Sequence, residues 1–149
     1  MEKPLKNIDD AYTWSIGTVD ALRSGDFSKI DMDELINEIG SIASGLRRQL
    51  ISALRQSIES LLVAEYTTNA DRRNEMLLVE AQGKIQVLLS SAPGLRAILD
   101  EAIEEAYPEA RQFVTDDYQV ALPDRCPLAL SRVVEDPYER LLAAEQLSS

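Results

Sequence analysis

Apolar residues recur along this chain with a helical rather than an alternating period, and that pattern predicts an all-α fold. The clearest run is Leu35, Ile39, Ile42, Leu46, Leu50, Leu54, Ile58 and Leu61, which step by three or four without interruption. Asp31 followed by Glu34 forms a capping box ahead of the run. The spacing therefore predicts one long helix to about Tyr66, ~50 Å at 1.5 Å per residue. A compact domain of this size has a radius of gyration of only roughly 15 Å. Such a helix must bend near Gly40 and Gly45, or belong to an elongated or self-associating bundle.

Other elements follow from the same logic. Asp9 or Asp10 can cap a first helix to about Ser24, with Tyr12, Ile16, Val19 and Leu22 as its inward stripe, Trp14 off that stripe and Gly25 as terminator. Phe27 and Ile30 read as loop residues that tuck into the core. Asn69 or Asp71 can cap a third helix that turns Leu78, Ala81, Ile85, Leu88 and Leu89 inward. Ser91 can cap a fourth, with Pro93 in its first turn and Leu95, Ile98, Leu99, Ala102, Ile103 and Ala106 as its stripe. Pro108 is expected to kink or restart that helix, and Phe113 to continue its apolar face. Leu122 to Pro127 reads as extended, Pro127 to Val134 as a short helix, and Asp136-Pro137 as the cap of a final helical segment. The expected architecture is an irregular bundle of four main helices, with residues 1–135 as one domain and 136–149 as a C-terminal tail.

Composition narrows the chemistry. Fifteen basic against 26 acidic residues give a formal charge of -11, which disfavours nucleic acid and anionic lipid. The one basic cluster, Arg47, Arg48, Arg55, Arg72 and Arg73, is interleaved with Glu59, Glu65 and Asp71. A single cysteine, Cys126, allows no internal disulfide, and no stretch approaches the ~18 apolar residues of a membrane span. A cytoplasmic location is the expectation.

Histidine is absent, which removes Ser-His-Asp and Cys-His catalysis, histidine-ligated zinc and Glu-x-x-His di-iron sites. No nucleophile elbow or glycine-rich phosphate loop is present. Without an activating histidine, Cys126 reads as a structural thiol. The remaining candidates for chemistry are carboxylates. Glu101, Glu104 and Glu105 share a helix face, and Glu34 and Glu38, one turn apart, are the natural second half of an oxygen-ligand site for Mg²⁺ or Mn²⁺. A solvated face explains the first three more simply, and a structural pair with Arg23 or Arg47 explains Glu38. Tyr12 and Trp14 read as packing aromatics with polar handles.

Taken together, Tyr12-x-Trp14, Leu22-Arg23-Ser24-Gly25-x-Phe27, Ile30-Asp31-x-x-x-Leu35-x-x-Glu38-Ile39 and Pro123-x-x-Cys126-Pro127 resemble the bacterial family known as domain of unknown function 29, from about Asn7 to Val134. The resemblance implies an all-helical bacterial protein of unassigned function. Members often carry a histidine in the second half of the long helix, a Lys-Trp pair just after it and a tryptophan in the third helix. The corresponding positions here are Ser60, Val63, Ala64 and Met76 or Leu77. No catalytic assignment carries over. The expected role is a small helical protein-protein interaction module with no cofactor, its partner another protein or a second copy of itself. The alternative is a carboxylate-dependent Mg²⁺ or Mn²⁺ enzyme acting on nucleotide or nucleic-acid phosphates.

Overall fold

The computed structural model describes residues 10–148 and is all-α, without a strand among them. In chain order the helices are α1 (Ala11–Ser24), α2 (Met32–Tyr66), α3 (Arg72–Ser91), α4 (Leu99–Tyr118), α5 (Leu130–Val133) and α6 (Pro137–Leu147), with 3₁₀ turns at Phe27–Lys29 and Pro93–Ile98. The chain divides into two compact units, residues 1–45 and 46–149, so that α2 begins in the first and ends in the second.

In the first unit Asp10 caps α1, its carboxylate accepting from the Tyr12 and Thr13 amides. Gly25 closes the helix in the left-handed conformation at φ +74°. Nothing lies within 4 Å of a Cβ built there, so the glycine is required by its backbone and not by crowding. Gly25→Ala should therefore cost about 1 kcal/mol of stability through backbone strain alone, seen as a lower urea midpoint with an unchanged slope.

The inward face of α1 is not the expected one. Tyr12, Ile16, Val19 and Leu22 are exposed, and Trp14, Thr18 and Ala21 are buried instead. Those three also repeat at helical spacing. Thr18 and Ala21 are small enough to bring a neighbour close, and the indole supplies more apolar area than any residue of the other stripe. Ile30 is buried as expected, but Phe27 stands in solvent.

α2 starts on the predicted capping box, with the Glu34 amide donating to Asp31 Oδ1 at 3.1 Å, and its 35 residues run as one uninterrupted helix. Its apolar register is buried only in part. Leu50, Leu54, Ile58 and Leu62 are fully inside, whereas Ile36, Ile39 and Ile42 remain exposed. The expectation that Ile39 and Ile42 face a core is thus corrected, because the core that occupies this register belongs to residues beyond 45.

The second unit holds that core. Leu50, Leu54, Ile58 and Leu62 of α2 pack with Leu78, Ile85 and Leu89 of α3, with Leu99, Ile103, Ala106 and Val114 of α4, and with Leu122, Leu128 and Val133. Asp71 caps α3 through the Asn74 amide at 2.9 Å. Ser91 does not cap the next helix. Its hydroxyl donates back to the carbonyls of Val87 and Leu88, so it finishes α3. The segment Pro93–Ile98 then forms a single 3₁₀ stretch and α4 begins at Leu99. α4 also continues through Pro108 without restarting, since that residue is exposed and the carbonyl its ring displaces belongs to exposed Glu104. Ala110 and Val114, not Phe113, carry the buried stripe onward.

The segment after α4 is fixed by polar contacts from within the unit. Tyr107 donates to the Pro123 carbonyl at 2.5 Å, and Arg111 donates to the Leu122 carbonyl and to Asp124. The short helix is confined to Leu130–Val133, shorter than expected. Its C-terminal carbonyls are quenched by side chains of other helices: Ser57 donates to Val133 at 2.7 Å, Gln82 to Arg132 at 2.9 Å and Gln86 to Val134 at 2.6 Å. Asp136 caps α6 and Pro137 occupies its first turn, as the sequence predicts.

Candidate functional site

The expected carboxylate positions fall into separate settings. Glu34 belongs to the capping box, and Glu38 is half-buried near the start of α2. In the second unit Arg47 of α2 reaches Glu105 at 2.6 Å and Glu101 at 3.3 Å. That guanidinium is one of the two, with Arg23, considered as a partner for Glu38, and it binds two carboxylates of α4. Glu104 is exposed and points to a different cavity. Among the described residues no three acidic or cysteine side chains gather in a way that could hold a metal ion.

Two cavities in the second unit are lined by chemically active groups. One, of about 790 Å³, lies between α4 and the 124–130 segment and is bordered by Asp100, Glu104, Tyr107, Asp124, Arg125 and Cys126. Burial pushes the Cys126 thiol up from its ordinary range, only partly offset by a hydrogen bond from the Leu128 amide. Burial likewise raises the Tyr107 phenol, with the neighbouring Cys126 adding to the effect. Both groups stay protonated at neutral pH. The thiol is therefore a packing group, since nucleophilic cysteines need the opposite shift.

The other cavity, of about 650 Å³, is more polar and runs between α2, α3 and the end of α4. Ser52, Arg55, Glu59 and Ser60 enter it from α2, Asn74 and Leu77 from α3, and Phe113, Asp117 and Tyr118 from α4. Arg55 is shared between Glu59 at 3.6 Å and Glu109 at 3.1 Å. Desolvation raises the Glu59 carboxyl above its ordinary value; Arg55 opposes the shift, while Glu109 and Asp117 reinforce it. Neither periodicity nor motif singled out Glu59, because its perturbation comes first from burial by the packed helices and only then from carboxylates fifty residues away in sequence. The register of α2 would have placed it on the edge of the buried stripe, which is the only signal available.

The sign of that shift sets a pH dependence. A carboxyl whose folded-state pKa is raised takes up a proton on folding, so its effect on stability is most favourable below the ordinary value of 4.5 and is lost as pH rises through the raised value. Glu59→Gln should accordingly flatten the decline in melting temperature from pH 4.5 to neutrality relative to the unaltered chain. A steeper decline in the variant would show that Arg55 outweighs the burial.

Ser60, Val63 and Leu77 also line this polar cavity. Ala64 and Met76 do not. Here the Ser60 carbonyl accepts from Asn74 at 3.0 Å and the residue is almost wholly buried.

The remaining exposed chemistry is apolar. Ile36, Ile39 and Ile42 are 61%, 61% and 64% exposed on α2, and Ile16, Val19 and Leu22 are exposed on α1. Among the described residues no helix is long and apolar enough to cross a membrane. A family model described as "Domain of unknown function DUF29" matches residues 8–139. No curated protein and no solved structure matches the chain.

Proposed function

Because this chain belongs to the DUF29 family, whose description assigns no activity, we propose from its surface that it works as a small cytoplasmic helical module that binds protein. One observation carries this reading. Three isoleucines within seven residues of a regular helix each leave more than half of their surface in water. Scattered apolar residues on a surface need no explanation, but a run on one helix face marks a site of association. The α1 residues Ile16, Val19 and Leu22 add a second apolar face within the same unit. The acidic surface supports a protein partner over a polyanion.

The test compares the chain with an Ile36→Glu, Ile39→Glu double variant by light scattering and by capture of interacting proteins from bacterial extract. Both substitutions fall on exposed positions, so circular dichroism should show unchanged helix content. Association, with itself or with another protein, should be lost in the variant. A chain that is monomeric and captures the same proteins with or without the substitutions would refute the reading.

A further inference from the structure

One buried polar group of the second unit has no use in the free chain. Ser60 is 3% exposed, yet among the described residues its hydroxyl makes no hydrogen bond, whereas Ser57 on the same helix donates to the Val133 carbonyl. A buried hydroxyl without a partner costs stability, so such groups in folded proteins are rare unless something outside the chain meets them. Ser60 lines the polar cavity of about 650 Å³ between α2, α3 and α4, a volume typical of small-molecule sites. Asn74 stands on the same wall. Its amide nitrogen donates to the Ser60 carbonyl at 3.0 Å, which leaves its own oxygen as an acceptor.

The charges around this cavity select a cation. Glu59 and Asp117 line it, and both Glu109 and Asp117 act on Glu59. One guanidinium, Arg55, is divided between Glu59 and Glu109, and Asp117 makes no ion pair among the described residues. Arg73 also lines the cavity but is not among the charges that act on Glu59, and the Asp71 carboxylate is taken up by the α3 cap. Among the described residues no three carboxylates gather tightly enough to hold a metal ion, so the fit is to a cation whose hydrogen-bond donors are spread out. Phe113 and Tyr118 complete the α4 wall, and aromatic rings attract ammonium groups. We propose that this cavity binds a small aliphatic amine, its ammonium group held by Glu59 and Asp117 and donating to the Ser60 hydroxyl. The site is separate from the exposed isoleucine face and does not depend on the protein-binding reading.

Isothermal titration of the full chain with putrescine tests the site, with butanol, butyrate and Mg²⁺ as the neutral, anionic and metal probes. The expected result is saturable binding of putrescine alone, which Mg²⁺ does not displace. Ser60→Ala should weaken it about tenfold without lowering the melting temperature of the free chain, because the hydroxyl bonds nothing there. Asp117→Asn, at an exposed position, should also weaken it about tenfold, whereas Glu104→Gln, an exposed carboxylate on the other cavity, should leave it unchanged. Equal weakening by Asp117→Asn and Glu104→Gln, or displacement by Mg²⁺, would reduce the effect to diffuse attraction by an acidic surface and overturn the site. Full affinity in Ser60→Ala, or no saturable binding of putrescine in the unaltered chain, would overturn it equally.

Discussion

Leu54→Ala is expected to lower the stability of the second unit by about 3 kcal/mol, and its melting temperature by roughly 15 °C. Leu54 has no accessible surface and sits in the layer where α2 meets α3 and α4. Removing its isopropyl group loses the transfer free energy of three carbons and leaves a cavity whose walls belong to three different helices. Those walls cannot collapse without moving whole elements, which keeps the cost within the usual range for such changes. Ile42→Ala, on the same helix but 64% exposed, should change stability by less than about 0.5 kcal/mol. Thermal unfolding of the two variants followed by circular dichroism separates them. Similar losses would mean that the exposed register is already covered in the isolated chain.

Gln82→Leu should cost a comparable amount, roughly 3 kcal/mol, although leucine keeps the volume nearly constant. Gln82 is fully buried, donates to the Arg132 carbonyl at 2.9 Å and accepts from Arg140 at 3.2 Å. Leucine fills the space and supplies neither bond, so the Arg132 carbonyl loses its side-chain donor and is left to backbone amides such as Glu135 at 3.4 Å, and among the described residues Arg140 is left with Glu135 at 3.4 Å. Arg140 already has one buried nitrogen without a partner among the described residues, so it has little capacity to compensate. The loss should appear as a lower denaturant midpoint and as faster amide exchange in residues 130–137 than elsewhere. A neutral substitution would show that water replaces the glutamine at both ends.

Much of this fold is legible in the sequence because its signals are local. The Asp31 capping box, the Gly25 terminator, the Asp71 and Asp136 caps and the unbroken register of Leu50, Leu54 and Ile58 each depend on neighbours within a turn or two. What the sequence hides is which of two apolar stripes finds a partner. Trp14, Thr18 and Ala21 compete with Tyr12, Ile16, Val19 and Leu22 on α1, and periodicity favours neither. On α2 the register is equally good at Ile39 and at Ile58, yet one is bare and the other enclosed, because burial is a property of the surrounding elements. Ser91 misleads for a smaller reason, since the same hydroxyl that can open a helix can finish one.

Less of the candidate sites is visible beforehand. Glu101 and Glu105 are readable as a shared face, but their common Arg47 is not, because the pairing spans fifty-four and fifty-eight residues. Glu59 acquires its character first from burial and then from Glu109 and Asp117 of α4, and Ser57, Gln82 and Gln86 look like interruptions of apolar stripes until the carbonyls they serve are located. In each case the missing information is a long-range partner.

The three carbonyls at the end of α5 also impose an order on biosynthesis. Arg132 leaves the ribosome fifty residues after Gln82, and Val133 seventy-six after Ser57. Until then α2 and α3 present amide and hydroxyl donors to what will become a dry interior, with only water to receive them. A nascent chain paused before residue 130 should thus hold its helices loosely and bind a chaperone or a hydrophobic dye, and should lock only when those few residues emerge.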